Sequence, residues 1–200
     1  MTVSTPSSIL LDHLWPRSVG PRALLRTLVL ALLGSLLLWA SARIQIPFYP
    51  VPMTLQTAAV LLVGLVAGSR LGALTVGVYL LEGALGLPVF AGTPERGIGL
   101  AYMLGPTGGY LLGFALAAWL AGLAAERGVR GATLLAVLLA ADAAIYLPGL
   151  LWLSLFVGWD GALAVGLVPF LLGDGLKLLL AWALFLALRR SLMPPAQRHS

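Results

Sequence analysis

Asp174 and Lys177 stand three residues apart in a run, 162–188, that is otherwise apolar. That spacing puts both on one face of a helix. Read as one continuous helix, the run places each of them roughly 18–20 Å from its nearer polar end, at about 1.5 Å of rise per residue. A lysine side chain reaches only about 6 Å, too little to snorkel to water from there, and aspartate reaches less. A charge at membrane depth costs at least about 2.5 kcal/mol, so each must face a partner, a cavity or a ligand. Two roles fit: a self-neutralised structural ion pair, or the polar floor of a ligand site. The ligand site is the expectation.

Other chemistries lack their residues. There is no cysteine, which removes disulfides, thiolate catalysis and Cys-ligated metal. The only histidines, His13 and His199, sit in the tails, so neither a Ser–His dyad nor a His-ligated metal can form within a membrane. No enzyme, cofactor or metal is expected. A proton-coupled secondary transporter using Asp174, Glu82 or Asp142 is the rival reading. Such machines often carry internal repeats, and the two halves of this chain show no convincing correspondence.

The elements that must hold the pair are membrane helices. The chain is 60% hydrophobic and 10% charged, with a mean hydropathy of +1.00, far from soluble norms. Six apolar runs, approximately 21–42, 54–68, 71–87, 101–125, 132–157 and 162–188, predict an all-α polytopic membrane protein. The expected architecture is a compact bundle of six transmembrane helices with irregular outer loops. It forms a single integral membrane domain over 1–200, with short cytoplasmic tails at about 1–20 and 189–200. The second and third runs are short for a bilayer that needs about 20 apolar residues. Gly64, Gly68 and Gly72, and later Gly109 and Gly113, recur every four residues, which lets helix backbones approach closely in lipid. The first twenty residues lack an apolar stretch ending in a cleavage site, so no removable signal peptide is expected.

Net charge is +5, but the arginines lie in short segments between apolar runs, a topology signal and not a nucleic-acid footprint. Arg17, Arg22, Arg26, Arg70, Arg127, Arg130, Arg189, Arg190 and Arg198 fall on one side of the six-span arrangement, and only Arg43 and Arg96 on the other. The positive-inside rule then predicts that both termini are cytoplasmic. The outer loops become 43–53, 88–100 and 158–161.

The first two outer loops carry the remaining candidates. Pro47, Pro50 and Pro52 forbid helix and predict a stiff extended flap. Thr54 is an expected N-cap for the second span, and Gln56 follows just inside it, either an interface residue or a ligand contact. Glu82 precedes a Gly- and Pro-rich segment, where its carboxylate suits a ligand bond or a loop cap. Irregular backbone at membrane depth is tolerated only where it lines a cavity or is covered by protein. Tyr110 follows as a ligand wall or an interface anchor.

These same residues carry a family resemblance. Ile46-Pro47, then Pro50-Val51-Pro52-Met53-Thr54-Leu55-Gln56-Thr57, resembles the signature of the BioY family, the biotin-binding S components of energy-coupling-factor (ECF) vitamin transporters. Gly86-Leu87-Pro88-Val89-Phe90-Ala91-Gly92 and Leu104-Gly105-Pro106-Thr107-Gly108-Gly109-Tyr110 follow in the right order. Gly173-Asp174-Gly175-Leu176-Lys177 then resembles that family's Asp-x-x-Lys motif.

The resemblance implies a vitamin pocket near the outer face, under the loop after the first helix. It implies a transmembrane coupling protein and cytoplasmic ATPase subunits as partners, in a bacterial inner membrane. The chain itself has no G-x-x-x-x-G-K-[ST] phosphate loop. Biotin offers two ureido N–H donors, a ureido carbonyl and a carboxylate. Asp174 suits the N–H groups, and Lys177 suits the carbonyl or the carboxylate. Phe90, Tyr110, Tyr146 and Trp152 are candidate walls, with Glu82, Gln56 and Gly92 as further site residues. Ala31 and Ser35 form a small-residue pair on the first helix, suited either to docking the coupling partner or to a contact inside the bundle. The sequence leaves open whether the chain also forms a homo-oligomer.

Six crossings make a direct prediction. Reporter fusions or cysteine-accessibility probes at 127–130 and at 93–96 will report opposite sides of the membrane. Both on one side would exclude the six-span arrangement.

Overall fold

Four helices are long and apolar enough to cross a bilayer: α2 (Pro21–Arg43), α6 (Gly108–Glu126), α7 (Gly131–Gly166) and α8 (Leu171–Leu192). They belong to a computed structural model that describes residues 9–17, 19–46 and 49–192. The shorter helices are α1 (Leu10–Leu14), α3 (Gln56–Ala67), α4 (Ser69–Ala84) and α5 (Gly99–Met103). The only strands among the described residues, β1 (Gln45–Ile46) and β2 (Met53–Thr54), pair antiparallel with Gln45 opposite Thr54. Pro47 and Phe48 of the expected flap, and Arg198 and His199 of the tail, lie outside the described residues.

The exterior is apolar. On α2, Leu24, Leu25, Leu28, Leu32, Leu33 and Leu36 are all exposed, as a helix bathed in lipid requires. The interior is built on close backbone approach. A methyl group added at Gly64 of α3 would lie 2.3 Å from the Ala118 carbonyl oxygen of α6. At Gly109 it would lie 2.2 Å from the Pro148 oxygen of α7, and at Gly113 2.7 Å from the Ile145 Cα. Both expected glycine repeats therefore mark seams of α6, against α3 on one side and α7 on the other. At 12 and 16 residues, α3 and α4 are about 18 and 24 Å long, shorter than a bilayer core of about 30 Å. Nine of the twelve α3 residues are buried, which fits a helix enclosed by its neighbours.

Two sequence expectations change, and one choice between roles narrows. The run 162–188 is not one helix. Helix α7 continues to Gly166, broken only at Gly158 (φ 73°), and the chain then turns through 167–170 before α8 begins at Leu171. Thirty-six helical residues would span about 54 Å if straight, far more than a bilayer, so the break at Gly158 replaces the expected outer loop 158–161. Asp174 thus lies in the first turn of α8 and not at its middle.

The fourth span is also divided, into α5 and α6, around Gly105 and Pro106. Lastly, Ala31 and Ser35 are 0% and 2% exposed, and the Ser35 hydroxyl donates to the Glu82 carboxylate of α4. Of the two roles weighed for this pair, their burial and the Ser35–Glu82 bond support the contact within the bundle.

The segment before α2 is folded. Ile9 and Leu10 are buried, and Arg26 donates to Asp12 at 2.8 Å, with both side chains under a tenth exposed. Arg26 also donates through Nε to the Trp15 carbonyl, so one guanidinium fastens this segment to α2.

Overpacking a seam of this kind costs about 1–3 kcal/mol. Gly64→Ala and Gly109→Ala will each lower the thermal unfolding midpoint in detergent. Gly175→Ala, where an added methyl meets nothing within 4 Å, will leave the midpoint near that of the parent.

Candidate functional site

The break between α7 and α8 creates the polar centre. Because α8 starts at Leu171, Asp174 is brought to the wall of a cavity of about 520 Å³, counting its open mouth. The lining comes from the β-hairpin (Val51, Pro52, Thr54), α3 (Gln56, Thr57), the Ala91 loop, Tyr102, Thr107, three residues of α6, Ile145 and Tyr146 of α7, Phe170, and Asp174 with Lys177.

Both Asp174 oxygens are engaged. Lys177 Nζ donates to Oδ1 at 2.7 Å, and the Tyr146 hydroxyl donates to Oδ2. The two charged side chains are 8% and 11% exposed, so the pair is largely shielded, and both residues line the cavity. A negative side chain in the first turn of a helix also faces that helix's free N–H groups and positive dipole end. The i, i+3 spacing read from sequence does form the pair, but its setting is the mouth of a helix and not the middle of one.

Tyr110 supports the break itself. Its hydroxyl donates to the Gly166 carbonyl at 2.9 Å, where α7 ends, and its ring meets Tyr146 edge-on with centroids 6.1 Å apart. A side chain at Gly166 would strike that hydroxyl, with an added Cβ only 2.4 Å away. At the other end of the cavity, Thr54 Oγ1 accepts the Gln56 backbone N–H at 3.2 Å, so it caps α3 from the residue before Leu55. Gln56 Nε2 donates to the Tyr79 hydroxyl at 2.7 Å, and that hydroxyl donates to the Val89 carbonyl at 3.0 Å.

Of the residues chosen from sequence, Asp174, Lys177, Gln56, Tyr110 and Tyr146 share this one cavity. Glu82, Phe90, Gly92 and Trp152 are not among its lining. Glu82 accepts the Ser35 hydroxyl at the α2–α4 seam. Phe90 is fully buried behind the wall, stacked on Tyr102 with centroids 4.9 Å apart. Gly92 turns the loop after α4 at φ 75°, packed on Arg96. Trp152 donates to the Gly105 carbonyl at 2.9 Å, holding the α5–α6 break.

Sequence reasoning did not single out Thr57, Tyr102 or Thr107 as lining residues. Thr57 was visible only as the neighbour of Gln56, and the other two depend on how α5 folds back. Asp142 is buried on α7 one turn before Tyr146, and its Oδ1 has no hydrogen-bond partner among the described residues.

Comparison with known proteins gives a consistent answer. The BioY family model matches residues 12–193. A protein of Pyrococcus horikoshii described as a probable biotin transporter BioY is 46% identical over 136 residues, covering 68% of this chain and 79% of that protein. The biotin transporter BioY of Thermotoga maritima is 41% identical, covering 83% of this chain and 97% of its own length. A crystal structure of the S-component for biotin from an ECF-type ABC transporter aligns with a TM-score of 0.73 at 26% identity, over 86% of this chain and 95% of that one.

Proposed function

The chain belongs to the BioY family, and we propose that it is the biotin-binding S component of an ECF-type uptake system, with the cavity at Asp174 and Lys177 as its vitamin site. It is a transporter subunit and not an enzyme. The observation that carries the site assignment is a compensated, largely shielded charge pair in the lining of a cavity.

The chemistry of biotin fits that placement. Asp174 is an acceptor whose two oxygens hold about four lone-pair positions, so it takes ureido N–H groups beside the bonds from Lys177 and Tyr146. Lys177 uses one of its three donors on Asp174 and directs the others at the ureido carbonyl or the carboxylate. Tyr102, Tyr110, Tyr146 and Phe114 supply apolar wall for the sulfur-containing ring and the valerate chain.

Six helices cross in this reading: α2, α3, α4, α6, α7 and α8, with the cavity toward the outer face and both termini in the cytoplasm. The arginine asymmetry supports that orientation. Delivery inward then needs a transmembrane coupling protein and cytoplasmic ATPase subunits, since the chain carries no phosphate loop of its own.

The test measures thermal stability and equilibrium binding of labelled biotin on the same purified variants in detergent, without ATP. The parent will bind saturably. Asp174→Asn keeps the shape but replaces an ionised acceptor with an amide, and Lys177→Ala removes the cation. Charge-assisted bonds of about 1.5–3 kcal/mol correspond to losses of roughly 10- to 150-fold for each variant. The double variant Asp174→Leu/Lys177→Met will remain folded and bind no biotin. Parent-like binding by that variant would make the pair structural and move the site elsewhere.

A further inference from the structure

Gln56 stands at the cavity with an amide that offers either a donor or an acceptor, and which one faces the ligand decides what it recognises. Its neighbours leave only one orientation. The Val89 carbonyl is an acceptor and nothing else, and it lies 3.0 Å from the Tyr79 hydroxyl. Tyr79 is fully buried and Val89 nearly so, so a carbonyl left without that proton would carry the penalty of a buried unsatisfied group. The one hydroxyl proton of Tyr79 therefore goes to Val89. Its oxygen is then an acceptor toward Gln56, 2.7 Å away, and must meet the amide nitrogen.

The same polarity holds on the other side. Thr54 Oγ1 already accepts the Gln56 backbone N–H, which leaves its own proton to point at the side-chain oxygen Oε1, 3.4 Å off. Both neighbours turn the amide the same way.

We propose that Tyr79 is a positioning residue that fixes Gln56 with its carbonyl oxygen toward the ligand, so that the site presents two acceptors and one cation to a cyclic urea. The two acceptors are Asp174 on α8 and Gln56 on α3, helices that pack side by side, and the cation is Lys177. A ureido ring has two N–H donors and one carbonyl, which is the complementary set. Free rotation of the amide would present a second donor at that position, which an N–H group cannot use. This rests on the cavity being the biotin site, and it adds a residue that never touches the ligand. Tyr79 is absent from the cavity lining, and its ring is held edge-on against Phe90, centroids 5.5 Å apart.

The experiment compares biotin affinity and thermal midpoint for Tyr79→Phe, Gln56→Ala and the double variant, with Asp174→Asn alongside. Tyr79→Phe keeps the ring and its packing but lets the amide turn, and will weaken biotin about tenfold, the scale of one hydrogen bond. Gln56→Ala will weaken it by a similar factor, and the double variant will be no weaker than Gln56→Ala. An equal further loss from Tyr79→Phe in the Gln56→Ala background would overturn the positioning role, because a structural effect acts in both backgrounds.

A ligand-side readout serves where Tyr79→Phe folds poorly. Biotin methylated at either ureido nitrogen will bind at least tenfold more weakly to the parent. Gln56→Ala will lose its discrimination against one of these two analogues and keep the other. Unchanged discrimination against both in Gln56→Ala would overturn the proposal. If Asp174→Asn weakens binding while these arms fail, the Tyr79 proposal alone falls. If Asp174→Asn binds like the parent as well, the site reading falls with it.

Discussion

A carboxylate among apolar helices has to be compensated on every side, and the surroundings of Asp174 meet that demand. Lys177 takes one oxygen and Tyr146 the other, and the first turn of α8 is the end of a helix whose dipole favours a negative charge. None of this works if α8 begins elsewhere. The chain must leave the helix at Gly166 and re-enter it at Leu171, and the Tyr110 hydroxyl bound to the Gly166 carbonyl holds that exit. The break thus performs two tasks. It exposes backbone dipole to Asp174, and it moves the pair from the depth of a helix to the edge of a cavity.

A broken helix is tolerable only inside a firm frame, because freed backbone groups in an apolar medium need partners. The frame is made by glycine. Where Gly64 meets Ala118 and Gly109 meets Pro148, α6 lies backbone-to-backbone on both neighbours, and no side chain separates them. The loop after α4 is tied down through its own carbonyl oxygens. Arg43 donates to the Pro88 and Thr93 oxygens, Tyr102 to Ala91, and Tyr79 to Val89. Such bonds use the irregular backbone itself as the partner, so Gly- and Pro-rich segments stay ordered without regular structure.

How much of this the sequence discloses depends on the range of each interaction. The i, i+3 pair is local, and its spacing alone predicts the contact but not its placement in the first turn of α8. The glycine repeats are local patterns too, and they mark the true seams. The point where the apolar run stops being helical carries a local signal as well, since Pro169 lies in the turn 167–170 and a proline ends or kinks a helix just before itself. What composition could not reveal is the partner that holds the exit: Tyr110, fifty-six residues before Gly166. Ala31 and Ser35 illustrate the same limit: small spacing on a helix indicates close approach, but the neighbour it meets is a tertiary matter, and Glu82 of α4, forty-seven residues away, is the one that Ser35 bonds. Phe90 and Trp152 are candidate walls from their aromatic character alone, yet Phe90 stacks on Tyr102 and Trp152 donates to the Gly105 carbonyl, contacts that no local pattern discloses.

The saturated state of Asp174 bears on how such a site gains selectivity. A lone buried carboxylate would attract any cation, whereas one already balanced by Lys177 attracts none strongly. What it still offers is directional: the remaining lone pairs of two oxygens whose positions Tyr146 and Lys177 have fixed. A ligand with N–H donors in the right plane adds to those bonds without displacing them. A ligand that brings bare positive charge meets the Lys177 ammonium alongside. On the proposed reading the ion pair acts as a filter as well as a floor, favouring a neutral polar ring with its own donors and acceptor over a simple charge.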